Sequence, residues 1–187
     1  RRSRVISDVR DALRSAGDRR VMIVAHHPYG SSGPHGLGMT IWEGLGFVWL
    51  LRKTGALVQD INSRPYRGLR RELREVFRET RRPLVWAGGH DHSLQVIRGA
   101  AEDEPAWNLI SGSGSKLSGV SDAPGLAYGA GLPGFMRLTV LESGEVRLRV
   151  YAAPVEYQHC TGEERPVDRC MAEGTDAYEV VWAGRLR

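Results

Sequence analysis

Pro83-Leu84-Val85-Trp86-Ala87-Gly88-Gly89-His90-Asp91-His92 is the stretch on which the fold turns. The proline breaks any helix before it, four apolar residues follow, and two glycines then permit a tight turn, so the stretch reads as a buried strand running into a loop. Upstream, Val21-Met22-Ile23-Val24-Ala25 has the length and content of a fully buried strand, and it too runs into histidine, at His26-His27-Pro28. Two short apolar strands thus each deliver imidazole into a loop at their end. A strand end holds a side chain firmly while the loop leaves it open to solvent.

The segments around these strands follow from the same rules. Val5, Val9, Ala12 and Leu13 recur at helical spacing near the start of the chain. Tyr29 to Gly46 is rich in Gly and Ser, holds Pro34 and His35, and reads as a long loop whose backbone can approach a ligand. Trp42, Phe47, Trp49, Leu50 and Leu51 form an apolar patch for covering that loop or another surface. From Gly68 to Arg82, Leu69, Leu73, Val76 and Phe77 mark one face of a helix, while Arg70, Arg71, Arg74, Arg78 and Arg81 occupy the other positions as a solvated basic face. Further strands are expected at Val96 to Arg98, Trp107 to Ser111, Phe135 to Leu141 and Val146 to Tyr151, the last two joined as a hairpin through Ser143-Gly144.

Composition narrows the function. With 187 residues, 41% apolar and 26% charged, the chain is long enough for one domain with a core. Its apolar runs, such as Phe47 to Leu51, stop far short of the roughly 20 residues needed to cross a bilayer. The formal charge of +4 is carried almost wholly by arginine, with lysine at positions 53 and 116, and is not interleaved with aromatic residues, so no nucleic-acid partner is expected. Cys160 and Cys170 lie close together in a polar stretch. A disulfide closing that loop points to a periplasmic or secreted protein, and two unlinked thiols point to the cytoplasm instead.

Five of the six histidines fall at the two strand ends: His26, His27 and His35 in one group, His90 and His92 in the other. Imidazole is the commonest transition-metal ligand among side chains. Histidines two apart in an extended segment point to opposite sides, so His90 and His92 can reach two different ions across a bend.

Val24-Ala25-His26-His27-Pro28, the further His35, Gly89-His90-Asp91-His92-Ser93-Leu94-Gln95, and Leu109-Ile110-Ser111-Gly112-Ser113-Gly114-Ser115 together resemble the calcineurin-like metallophosphoesterases, most closely their purple acid phosphatase branch. The resemblance covers roughly residues 20 to 150 and is most specific at Gly-His-Asp-His followed by Leu-Gln. It implies an α/β fold in which a central β-sandwich is flanked by helices, of which this chain is the C-terminal half: residues 1–153, with an insertion at about 29–66, followed by an extension at 154–187. It also implies metal-dependent hydrolysis of a phosphate-ester substrate at a dinuclear centre of iron, zinc or manganese. His26 and His90 would bind one ion and His92 the other, and His35 would contact the phosphate or protonate the leaving oxygen. His27 falls at the variable position of the motif and takes no ligand role; Asp91 is read as a turn or supporting residue.

The family's earlier motifs, an Asp-x-His, a Gly-Asp-x-x-Asp and a Gly-Asn-His, are missing. Gly17-Asp18 is followed by Val21 where Asp is needed, and neither Asn62 nor Asn108 precedes a histidine. Without a bridging carboxylate two dications repel each other at close range. The expected partner is therefore the N-terminal half of the same domain, and the chain alone is expected to hydrolyse phosphate esters poorly. Two other readings compete. Ser113-x-x-Lys116 and Lys53-Thr54-Gly55 match motifs of penicillin-recognising enzymes but in the wrong order. A non-catalytic interaction or membrane-surface module would keep the fold and use the Trp42 to Leu51 patch as its surface.

Overall fold

The computed structural model describes residues 2–34, 61–114, 117–153 and 178–187. His35, the Trp42 to Leu51 patch, Lys53, Lys116, Cys160 and Cys170 lie outside the described residues. Helix α1 spans Arg2–Ser15 and helix α2 spans Arg64–Glu79. Among the described residues eight strands form two sheets: β1 (Met22–Val24), β2 (Val85–Gly88), β3 (Leu94–Arg98), β4 (Trp107–Ser111) and β5 (Leu126–Ala130) in one, β6 (Gly134–Val140), β7 (Val146–Ala152) and β8 (Glu179–Leu186) in the other.

The first sheet has the order β1-β2-β4-β3-β5. Strands β1, β2 and β4 are parallel, while β3 runs antiparallel to both β4 and β5. The second sheet is an antiparallel meander in which Gly144, at φ 77°, makes the expected hairpin turn between β6 and β7.

Strand alternation explains how the layers stack. On β2, Val85 faces a core shared with Leu94, Val96 and Leu109 of its own sheet and Val146, Leu148, Val150, Ala152 and Leu186 of the second. The next residue, Trp86, faces the opposite core, with Ile6 and Leu13 of α1 and Leu73, Val76 and Phe77 of α2. Among the described residues the chain is thus an α/β protein in which two helices, a mixed sheet and an antiparallel sheet lie in three layers.

Helix α2 begins four residues earlier than the apolar periodicity indicates. Ser63 caps it by accepting from the Tyr66 N–H at 3.4 Å, and Pro65 sits in the first turn, where its missing N–H costs nothing. Thr80 closes the other end by donating from its N–H and hydroxyl to the Val76 carbonyl, three residues before Pro83.

One expectation is corrected. Val21 to Ala25 reads as fully buried, yet Met22 is 51% and Val24 71% exposed. β1 is the sheet's edge strand. Its Val21, Ile23 and Ala25 pack toward the helices, but the second sheet covers β2, β4 and β3 without reaching the opposite face of β1. Residues Glu179–Leu186, within the stretch read as an extension, pair with β7. No helix among the described residues is long and apolar enough to cross a membrane.

Candidate metal centre

β1 and β2 lie side by side in parallel register, Val24 opposite Ala87, so both chains leave the sheet at the same end. That register brings His26 and His90 together: His26 Nε2 lies 3.1 Å from His90 Nδ1. His27 joins them. Its ring centroid is 4.3 Å from that of His90 and 5.0 Å from that of His26, and one ring nitrogen from each of the three histidines falls within 4.8 Å of the others. His26 is exposed, while His27 and His90 are half-buried.

The segment after β1 is pinned carbonyl by carbonyl. The Gly89 N–H donates to the His26 carbonyl at 3.0 Å, the Trp86 indole N–H to the His27 carbonyl at 3.0 Å, and the Tyr66 hydroxyl to the Pro28 carbonyl at 2.7 Å. Three donors from two other elements thus fix three consecutive peptides. Burial pushes the Tyr66 phenol well above its ordinary range, so it remains a donor throughout the working pH range. Tyr29, buried between Phe77 and Trp86, is pushed up to about 12, also by burial.

The segment after β2 is shaped by absent side chains. A Cβ on Gly88 would meet the backbone of Pro28 at 2.8 Å, and one on Gly112 would run into the carbonyl of Asp91. The glycines therefore let the two histidine loops and the end of β4 close on one another. Within this turn His90 has φ 55°, the left-handed region, and is the one non-glycine residue there among the described residues. For a residue with a Cβ that conformation costs about 1–2 kcal/mol. Strain of this kind persists where the surroundings impose it, commonly at functional sites.

A buried polar network ties the loops together behind the histidines. Ser31 donates to the Asp91 carboxylate; the Ser32 N–H donates to Gln95 Oε1 at 2.8 Å; Gln95 Nε2 donates to Ser93 Oγ at 2.7 Å and Ser31 Oγ at 3.1 Å. Asp91, Ser93 and Gln95 are all fully buried. The Asp91 carboxylate therefore reaches the loop that follows His27, at Ser31.

Of the residues expected at the site, His26 and His90 meet. His92 lies outside their cluster, half-buried, with its carbonyl accepting from the Ser118 N–H at 2.8 Å. His27, given no role from sequence, belongs to the cluster. Consecutive residues of a strand diverge, but β1 ends at Val24 and the backbone bends at positions 26 and 27, which lets both rings face one side. Gln95 is part of the quoted motif but takes no role from sequence, and Ser31 and Ser32 read there only as part of a loop rich in Gly and Ser.

The donor set suits a transition metal. Imidazole nitrogens bind such ions at about 2.0–2.1 Å, and two of them on one ion lie roughly 2.9–3.4 Å apart between octahedral and tetrahedral angles. The 3.1 Å between His26 and His90 falls inside that interval, and with no ion one ring donates to the other at the same distance.

Fold and site thus define a layered α/β protein that presents a histidine cluster at the ends of two parallel strands. The sequence matches no protein-family model and no curated protein sequence. Among solved structures, its fold is similar to that of the protein described as GAP50, the anchor in the inner membrane complex of Plasmodium, with a TM-score of 0.53 and 16% identity. The match covers 99% of this chain and 42% of that one, so the chain spans less than half of its structural neighbour.

Proposed function

We propose that the chain supplies the histidine ligands of a metal-dependent phosphoester hydrolase of the calcineurin-like metallophosphoesterase type, most like its purple acid phosphatase branch. The observation that carries this reading is the convergence of His26 Nε2 and His90 Nδ1 to 3.1 Å at the ends of two parallel strands, with His90 held in a left-handed backbone to achieve it.

In this reading His26 and His90 hold one ion of iron, zinc or manganese, with His27 beside them, and His92 serves a second ion. When bound, such ions polarise a phosphoryl oxygen and activate the attacking water. The chain's own residues position and shield. The Trp86 indole, the Tyr66 phenol and the Gly89 amide fix the first loop, and the Ser31-Asp91-Gln95 network sets its spacing from the second. His35 contacts the phosphate or protonates the leaving oxygen. The acidic ligands come from residues outside this sequence, as an N-terminal half of the same domain. The edge of β1 offers a place for that half to add to the sheet, and the exposed Met22 and Val24 side chains a surface for it to cover. A disulfide between Cys160 and Cys170 would place the protein in the periplasm or outside the cell.

Elemental analysis of the chain equilibrated with zinc, manganese or iron, beside His26→Ala and His90→Ala variants, tests the ligand assignment; hydrolysis of an aryl phosphate tests the chemistry. Histidine-dependent metal together with slow hydrolysis, accelerated in a longer polypeptide that contains the acidic motifs, is the expected outcome. Rapid turnover by the 187-residue chain alone would refute the split site.

A second reading has one observation in its favour. GAP50, similar in fold, is described as an anchor in a membrane complex, so a non-catalytic interaction or membrane-surface module fits this fold too. Metal content that does not depend on the histidines would favour it.

A further inference from the structure

Helix α2 carries a second concentration of one chemistry. Arg67, Arg70, Arg71, Arg74 and Arg78 line a cleft of about 410 Å³ together with Asn62, and no carboxylate lines it among the described residues. A solvated basic face, the expectation from sequence, would leave these side chains loose in water, but most of them are held. Arg67 donates to the Asn62 carbonyl, and the Arg70 guanidinium sits 5.0 Å over the buried Tyr29 ring. Arg74 makes a two-pronged bond to Asp103, at 2.7 and 3.0 Å, and lies 3.4 Å from Glu104; Arg78 also pairs with Asp103.

The charge balance across the cleft is uneven. Asp103 and Glu104 answer the two cations at the C-terminal end. Arg67 and Arg70 are anchored by a neutral carbonyl and an aromatic face, which position a guanidinium without cancelling its charge, and Arg71 has no ion pair among the described residues. Three positive charges therefore gather in the first two turns of α2, and the guanidinium groups of Arg67 and Arg70 are already placed. A planar guanidinium matches the oxygens of a phosphoryl group two at a time, and prior positioning lowers the entropy lost on binding. The volume lies within the range of small-molecule sites, about 300–1,000 Å³, and exceeds what one phosphate fills.

We propose that this cleft binds a soluble anion with two or more phosphoryl groups, held by Arg67, Arg70 and Arg71. The site is distinct from the histidine cluster and does not depend on metal. The helix that carries it also touches the histidine cluster: Tyr66, one residue before Arg67, packs its ring 5.6 Å from that of His27.

Calorimetric titration of the chain with sodium pyrophosphate, in the presence of EDTA, tests the assignment. Saturable binding that weakens with added salt is expected. It should fall about tenfold or more in an Arg70→Ala, Arg71→Ala variant, as expected for losing charged hydrogen bonds. It should be unaltered in Arg64→Ala, on the same helix but outside the cleft, and in His90→Ala. Circular dichroism establishes that each variant is folded. Binding lost in His90→Ala but kept in the arginine variant would place the anion at the histidines and overturn the proposal. So would equal displacement by polyglutamate, which would make the cleft a protein-docking surface, or cosedimentation with phosphatidylserine vesicles in place of any pyrophosphate binding.

Discussion

The loops that follow β1 and β2 bring imidazoles to one point by opposite means. After β1 the chain is held by what has been added: an indole, a phenol and an amide each take one of three consecutive carbonyls. After β2 it is held by what has been left out, since Gly88 and Gly112 allow backbone to rest on backbone, and His90 accepts a left-handed conformation to complete the turn. A loop fixed by hydrogen bonds can lose them one at a time. A loop fixed by close backbone approach has no such tolerance, because a single methyl group separates the layers.

The comparison can be broken most severely at Gly112. A Gly112→Ala variant must move the Asp91 carbonyl, as in overpacking of a core, and should lose about 3 kcal/mol of stability together with histidine-dependent metal binding. Urea unfolding and elemental analysis measure the two losses. If Gly112→Ala were as stable as the parent chain, the account of the second loop would fail.

Trp86→Phe tests the first loop more gently. It keeps most of the apolar surface but leaves the buried His27 carbonyl without its indole donor, a change worth about 1–3 kcal/mol. Metal affinity should weaken rather than vanish, since His26 and Pro28 keep their partners. Complete loss of metal would mean that the first loop is no more tolerant than the second.

His90→Gly sharpens the contrast because its two readouts move in opposite directions. Glycine takes φ 55° freely, so the variant should gain about 1 kcal/mol in unfolding free energy while losing metal. A destabilised His90→Gly would show that the imidazole itself holds the turn together and that the strain argument is wrong.

The smallest effect is expected away from both loops, at Asp103. Arg74, with help from Arg78, holds its carboxyl below the usual carboxylate range. A depressed carboxylate contributes stability that is present at neutral pH and disappears as pH falls through its folded-state value. Asp103→Asn should therefore lower the Tm at pH 7 by no more than about 2–4 °C, and the difference should close in acid. Asp103→Asn that unfolds at the parent temperature at pH 7 would show the arginines to be positioned by other contacts.

Much of the architecture is legible in the sequence because it is local. The apolar runs at 84–87 and 107–111, the periodicity that marks α2 and the Ser143-Gly144 turn each announce one element. The exposed side of β1 is not local: Met22 and Val24 resemble core residues, and only the reach of the second sheet determines that they stay uncovered. β5, with Gly129 inside Leu126-Ala-Tyr-Gly-Ala130, carries too little strand propensity to stand out and is recruited by pairing with β3. At the site, strand-end placement identifies His26 and His90. The part of His27 depends on a backbone bend, which no period of two reveals. His35 lies outside the described residues, so its role rests on the sequence motif.

The short edge strand has one more consequence, for colloidal behaviour. An uncovered strand with exposed valine is a template on which other chains can assemble. β1 is only three residues long, and the charged pair Arg19-Arg20 stands before it while polar His26, His27 and then Pro28 stand after it. Flanks of that kind stop a sticky segment from lengthening into a ladder between molecules. Replacing His26 and His27 with valine would extend the apolar run to seven residues, positions 21 to 27, and remove the polar stop on that side of the strand.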